Sequence, residues 1–215
     1  WGWEPCTIRD IKVYRPTNNS LSSGQVLHCP YSYEKAALIV REMADALSLD
    51  LVDKGLVTDQ LVLTIGYDRE SLRDGEYRGA VVLDHYGRAV PKHAHGTVNL
   101  SRCCSSTKLI MDGIMELYKR IVDPQLLIRR INLTAARVIP RESTMPKELQ
   151  LSLFEDPQQE EEQQQTAQLE RELRRQQAVL QIRKKFGKNA ILKGMNLQEG
   201  ATAAERNQQI GGHKA

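Results

Sequence analysis

The order of strand-like and helix-like patterns between residues 21 and 139 is the feature that most restricts how this chain can fold. Strand-like patterns predict four strands, at Leu21 to Leu27, Thr58 to Tyr67, His95 to Ser101 and Leu126 to Ile139. Helical spacing of apolar residues predicts two helices, one starting at Tyr33 after a Ser32 cap and one capped by Ser105 or Ser106. The β-α-β-β-α-β order is typical of an α+β fold, in which two helices lie on one face of a four-stranded antiparallel sheet and leave the other face open.

Two segments lie outside these six elements. Arg69 to Lys92 contains turn signals and predicts a long excursion with a hairpin around Ala80 to Leu83. Thr166 to Phe186 has leucines near helical spacing among charged residues, which predicts a helix. This helix could dock elsewhere in a larger protein or bind a partner, or it could be an isolated solvated helix. The last residues, Gly211 to Ala215, are expected to be mobile.

Charge is distributed unevenly along the pattern, although the formal net charge is only +3. No acidic residue occurs from His85 to Met111 or from Pro124 to Arg141, while both stretches contain arginines. Acidic residues gather instead on the two predicted helices. A basic sheet backed by acidic helices predicts a polyanion on the open face. An ordinary solvated surface would mix the two signs more evenly.

The cysteines and histidines argue against a metal site. Cys6, Cys29, Cys103 and Cys104 have spacings that suit neither a zinc knuckle nor an ordinary disulfide, so reduced cytosolic thiols are expected. His93 and His95 would share one side of a strand, but no third ligand is evident, and a solvated or phosphate-adjacent pair is expected.

No apolar run is long enough to span a membrane. The chain starts at Trp1, and we expect a fragment of a longer protein that is cytoplasmic and monomeric.

A pentapeptide near the two-thirds point, Gln150-Leu151-Ser152-Leu153-Phe154, exposes apolar side chains on a polar tether. It follows Pro140 and Pro146 and precedes a low-complexity run, Gln158 to Gln165. Such a peptide is suited to place its apolar side chains in the pocket of a partner. The alternative is an amphipathic segment that folds back on the domain.

The pentapeptide resembles the motif by which proteins bind the bacterial sliding clamp, with every position filled. Together with Asn19 to Leu27 and Ile128 to Leu133, in that order, it is similar to the C-terminal half of a Y-family translesion DNA polymerase of the DNA polymerase IV/V type. The resemblance implies four parts: the end of the thumb and a linker (1–19), a DNA-binding little finger domain (20–141), a linker with the clamp motif (142–165), and a C-terminal helix with a flexible tail (166–215). Two departures are Asn132, where the family often has glycine, and the longer excursion after Arg69.

The resemblance also implies the partners, which are primer-template DNA and the sliding clamp, and a role in damage tolerance. Phosphate contacts come from arginine, serine, threonine and backbone N–H groups. The residues expected at DNA are Ser20, Ser22, Ser23, Gly24, Thr97, Asn99, Arg102, Arg129, Arg130 and Asn132. Among these, Arg130 and Asn132 alternate on one side of the last strand with Thr134, and Arg129 lies on the other side, from which it could reach the edge.

Catalysis is expected elsewhere in the parent polymerase. The carboxylates that hold Mg²⁺ in this family belong to the palm domain, and no pair of acids here has a plausible metal context. The resemblance therefore predicts no catalytic residue, no metal site and no cofactor in this chain. Two alternatives are a stand-alone RNA- or single-strand-binding protein with a ferredoxin-like unit, which would need stacking aromatics on the open face, and a pure clamp-binding adaptor, which would not need acid-free strands.

Overall fold

Four long antiparallel strands and two helices form the centre of the molecule, as the sequence predicted. The computed structural model describes residues 5–14, 19–73, 75, 77–144, 157–210 and 213–214. The first part of the chain contains α1 (Ile8–Val13), β1 (Leu21–Tyr31), α2 (Tyr33–Asp53), β2 (Leu56–Tyr67), β3 (Val81–Leu83), β4 (Ala89–Pro91) and β5 (Ala94–Cys104). The second part contains α3 (Thr107–Ile121), β6 (Ile128–Ala136), β7 (Ile139–Pro140), α4 (Pro157–Phe186), α5 (Ala203–Arg206), β8 (Gln209–Ile210) and β9 (His213–Lys214).

The sheet has the strand order β1-β6-β2-β5, with the short β7 also paired to β2. Leu63 of β2 lies opposite Leu133 of β6, and Leu61 lies opposite Ala135. All four residues are fully buried. Because side chains alternate along a strand, a shift of one residue would turn this buried set to solvent, and the apolar pattern therefore fixes the register.

The helices α2 and α3 cover the buried face of the sheet. The Ser32 hydroxyl accepts a hydrogen bond from the backbone N of Lys35, which confirms the predicted cap of α2. Of the two serines that could cap α3, Ser106 does so, by accepting from the backbone N of Leu109 at 3.2 Å. Each fully buried leucine or isoleucine of this core contributes on the order of 1.5–3 kcal/mol to stability.

The C-terminal extension packs on this same domain, and more of it is packed than the sequence predicted. Helix α4 begins at Pro157 instead of Thr166. Gln176 of α4 is buried and donates from Nε2 to the Ser105 carbonyl oxygen and to the Thr107 hydroxyl, both at 2.9 Å. The described part of α4 is therefore packed on this domain and is not an isolated solvated helix.

Residues 187–206, which we name the C-terminal strap, continue from α4 and contact α2 and β1. Lys193 forms an ion pair with Asp45 of α2, and Thr202 accepts a hydrogen bond from Gln25 of β1 at 2.9 Å. Of the last residues, which were predicted to be mobile, only His213–Lys214 are described, and they pair with Gln209–Ile210. No helix in the described ranges is both long and apolar enough to cross a membrane.

Candidate nucleic-acid interface

The face of the sheet opposite α2 and α3 is a continuous polar surface, which we name the open face. The strand registers place its residues in rows that cross all four long strands. The open face comprises Ser22, Gly24 and Val26 of β1, Arg130, Asn132 and Thr134 of β6, Gln60, Val62, Thr64 and Gly66 of β2, and His95, Thr97 and Asn99 of β5. None of these residues is acidic or aromatic apart from the imidazole of His95. The surface therefore offers hydroxyl, amide and guanidinium groups without a carboxylate to repel phosphate.

Six of the ten residues predicted to contact DNA lie on the open face, namely Ser22, Gly24, Thr97, Asn99, Arg130 and Asn132. They come from three different strands, and the pairing brings the β1 and β6 members side by side. Ser22 Oγ donates to Asn132 Oδ1 at 3.1 Å and lies 2.7 Å from Thr134 Oγ1. The expected alternation of Arg130, Asn132 and Thr134 on one side of β6 is what the structure has.

The other four residues do not join this surface as a group. Ser23 pairs with Leu133 on the helix-facing side, where its hydroxyl is 3.5 Å from Arg206 Nη2 of the strap. Its side chain points away from the open face because neighbours in a strand alternate. Arg102 is instead directed to α4, and its Nη2 donates to Gln165 Oε1 at 2.8 Å.

Ser20 and Arg129 are at the margins of the sheet. Ser20 is exposed immediately before β1. Arg129 lies at an irregularity in the β2–β6 pairing and reaches the edge, where its Nη1 donates to the His28 carbonyl oxygen at 3.1 Å and its Nε is 3.8 Å from Asp68 Oδ2. The Arg129 side chain therefore reaches the edge as predicted, and its guanidinium has two partners there.

Arg130 is the cation of the open face that keeps its guanidinium available. It is exposed, and its side chain has no hydrogen bond or ion pair to any described residue. Its neighbour across the pairing is Gly66, and a Cβ atom placed on Gly66 would lie 3.1 Å from the Cβ of Arg130. The glycine thus leaves room for the arginine stem to lie across β2.

Two features of this surface were not predicted. Arg137, whose φ of 49° marks the bend between β6 and β7, donates from Nη2 to Asn99 Oδ1 at 2.9 Å, and its Nε lies 3.0 Å from Asp59 Oδ1, so the cation that it places at the edge is already paired. Gln60 donates to the same oxygen of Asn99 at 2.9 Å. Arg137 lies between two strands, so the alternation rule could not place its side chain. Its position in the acid-free stretch from Pro124 to Arg141 was the one indication in the sequence.

The second unpredicted feature is a cleft between the open face and the hairpin β3–β4. The sequence predicted the hairpin itself, but not its position over the sheet. The cleft has a volume of about 1050 Å³, and Thr64, Arg130 and Asn132 form part of its floor. Val82 and Tyr86 of the hairpin also line it. This end of the open face therefore borders a cleft that it shares with the hairpin.

The titratable groups near the site are ordered by hydrogen bonds. The pKa of Asp84, at the hairpin turn, lies below its usual value because the Arg88 side chain and then the Arg88 backbone N donate to it.

In the described ranges no group of three or more histidine, cysteine or acidic residues could hold a metal ion. The pentapeptide Gln150 to Phe154 lies outside the described residues.

A comparison with protein-family models identifies the C-terminal domain of the impB/mucB/samB family, whose model matches residues 19–153. This range includes the whole sheet, the helices α2 and α3, the hairpin and all but the last residue of the pentapeptide. A search of curated proteins gave no match.

Proposed function

The chain belongs to the impB/mucB/samB family through the C-terminal domain at residues 19–153, and we propose that it holds primer-template DNA by its phosphates and tethers a translesion polymerase to the sliding clamp. Membership of this family identifies it as the C-terminal part of a Y-family polymerase. The proposed setting is error-prone synthesis past damage in the bacterial cytoplasm, as part of the response to DNA damage, with a monomeric chain.

The observation that carries the DNA proposal is the acid-free open face with the unpaired guanidinium of Arg130. Phosphates accept hydrogen bonds from arginine, hydroxyl and amide groups, and such contacts position a protein on DNA without reading the sequence. Ser22, Thr97 and Asn132 supply hydroxyl and amide groups on the same face as Arg130. The buried carboxylates Glu42 and Asp45 lie on α2, on the other side of the sheet.

The open face favours this proposal over a stand-alone RNA- or single-strand-binding module. Proteins of that class stack bases on aromatic residues of an exposed sheet. Val62 and Thr64, at the centre of the open face, are not aromatic, and neither are their partners Thr134 and Asn132 on β6. Contact with the phosphate backbone of a duplex needs no aromatic residue on the sheet.

The tethering part of the proposal is supported by the pentapeptide Gln150 to Phe154. Leu153 and Phe154 would fill an apolar pocket of the clamp, and Gln150 would orient the peptide by its amide. A pure clamp-binding adaptor would explain this peptide but not the acid-free open face. The catalytic Mg²⁺ ions of the parent polymerase would be held by palm-domain carboxylates, and we assign no catalytic residue and no cofactor to this chain.

The DNA proposal is tested by fluorescence anisotropy with the 215-residue chain and a labelled primer-template over a series of salt concentrations. Binding should weaken as salt rises, because cations of the protein release counterions from the phosphates. Arg130→Ala should weaken binding to all sequences alike and reduce the slope of log affinity against log salt by about one.

Arg41→Ala is the matched control for Arg130→Ala. It removes the same charge from an exposed position of α2, which lies against the other face of the sheet. We expect its salt slope to equal that of the wild type. Affinity that does not depend on salt, or a loss by Arg130→Ala that depends on sequence, would contradict the proposal.

A further inference from the structure

The turn of the hairpin β3–β4 is held in one conformation by the carboxylate of Asp84. Its Oδ1 accepts from the backbone N of Tyr86 and of Arg88, both at 2.9 Å. Its Oδ2 accepts from Arg88 Nε at 2.7 Å. Gly87 has a φ of 72°, which is accessible to glycine without strain. These contacts fix the backbone on both sides of Tyr86 and the direction of the Arg88 side chain.

Tyr86 is thereby presented to solvent in a defined environment. The guanidinium carbon of Arg88 lies 4.9 Å from the centroid of the Tyr86 ring, and the His85 ring meets it edge to face at 5.4 Å. The tyrosine is nevertheless 77% exposed. An aromatic ring that is ordered by its neighbours but not buried contributes little to the fold and is available as a stacking surface.

The charges around the cleft suit a phosphate-bearing ligand. The three carboxylates that line the cleft each pair with an arginine: Asp84 with Arg88, Glu70 with Arg73 and Asp68 with Arg129. Two cations that line the cleft, Arg69 and Arg130, have side chains with no ion pair or hydrogen bond to any described residue. With the carboxylates neutralised, the unpaired cations determine the sign of the local field.

We propose that Tyr86 at the hairpin tip stacks on an unpaired base of DNA, while Arg130 and Arg69 contact the phosphates of the same strand. The inference rests on the proposed function and deepens it, because it adds a single-stranded segment to the duplex on the open face. Stacking on an aromatic ring tolerates any base, and an arginine beside the ring strengthens it. The cleft is large enough for a nucleotide, since pockets for small ligands have volumes of roughly 300–1000 Å³.

The test compares three labelled DNA probes with the full chain: a blunt duplex, the same duplex with a single-stranded overhang, and that overhang with abasic sites in place of its bases. The two overhangs carry the same phosphates and differ only in their bases. We expect the overhang with bases to bind at least about fivefold more tightly than the abasic overhang. Tyr86→Ala should remove this difference, and Tyr86→Trp should keep it.

Phe186→Ala is the matched control. Phe186 is also an exposed aromatic residue beside a cation, with Lys185 Nζ 5.1 Å from its ring centroid, but it ends α4 on the helix side of the domain. Its substitution should leave the preference for bases unchanged. Circular dichroism checks that Tyr86→Ala has the wild-type fold.

The outcomes separate this inference from the proposed function. If the wild type binds the blunt duplex but does not distinguish the two overhangs, the hairpin inference is wrong and the DNA proposal stands. The hairpin inference is also wrong if Tyr86→Ala keeps the preference, because residues other than Tyr86 would then contact the bases. If no probe is bound, the proposed function itself fails.

Discussion

Glu42 of α2 and Thr202 of the C-terminal strap are joined by a hydrogen bond, in which the Thr202 backbone N donates to Glu42 Oε2 at 2.8 Å. The same oxygen accepts from the backbone N of Ala203 at 3.1 Å, and Asn196 Nδ2 donates to Oε1 at 2.8 Å. Glu42 is only 3% exposed. A buried carboxylate that accepts three such bonds is satisfied, and it fixes the start of α5 to α2.

The strap should therefore contribute to the stability of the whole domain. Glu42→Ala leaves the N–H groups of Thr202, Ala203 and Asn196 without their acceptor, and an unsatisfied buried donor costs about 1–3 kcal/mol. We expect a fall in the free energy of unfolding of about 2–3 kcal/mol in urea, together with faster proteolysis of the strap.

Glu199→Gln is the control for this prediction. Glu199 also joins the strap to α2, through Lys35 at 2.7 Å, but its side chain is 87% exposed. Exposed ion pairs contribute little, so the urea midpoint should not change measurably. Equal effects of the two substitutions would show that the buried contacts of Glu42 do not hold the strap.

The sequence predicted those parts of the fold that depend on local periodicity. Alternation in β2 and β6 gave the strands and placed Arg130 and Asn132 together, and the Ser32 cap gave the start of α2. The same rule of alternation, applied to β1, places Ser22 on the open face and Ser23 on the other side. Grouping the two serines as one phosphate site therefore neglected the alternation.

The contacts of the extension could not be predicted in this way, because they join distant segments. Lys193 meets Asp45 148 positions away, and Arg102 meets Gln165 63 positions away. No periodic pattern records which of many lysines and arginines meets which acceptor. The position of Tyr86 at the cleft has the same origin, since it depends on how the hairpin packs beside the sheet.

The four free cysteines should differ in reactivity. Cys6 and Cys29 are exposed, whereas burial raises the pKa of the Cys104 thiol and also that of the less deeply buried Cys103 thiol. A raised pKa means less thiolate at a given pH, and the thiolate is the species that reacts with iodoacetamide.

At pH 8 mass spectrometry should find Cys6 and Cys29 alkylated first and Cys104 last, at least about tenfold more slowly. In urea the four rates should become similar. Fast labelling of Cys104 in the native protein would show that the start of α3, which follows this cysteine, opens readily.

Clamp binding and DNA binding should be separable by mutation. A peptide of residues 148–156 should bind the bacterial sliding clamp in calorimetry, and Leu153→Ala with Phe154→Ala should abolish binding, because these side chains would supply about 2 kcal/mol or more of buried contact. In the full chain the same double substitution should leave DNA affinity unchanged. Arg130→Ala should weaken DNA binding and leave clamp binding unchanged. Undiminished clamp binding by the double variant would show that the pentapeptide is not the clamp-binding motif.

The isolated chain should not extend a primer. Two-metal phosphoryl transfer needs carboxylates that hold Mg²⁺ at the primer end, and under the proposed function the palm domain of the parent polymerase supplies them. With primer-template, four nucleotides and Mg²⁺, the primer should therefore stay at its original length.

Joined to palm, finger and thumb domains of the same polymerase, the chain should increase primer binding and, with loaded clamp, the number of nucleotides added per encounter. A variant with Leu153→Ala and Phe154→Ala should lose only the increase that depends on the clamp. Extension by the chain alone, in a preparation shown to be free of other polymerases, would reveal an active site that neither the sequence nor the described structure indicates.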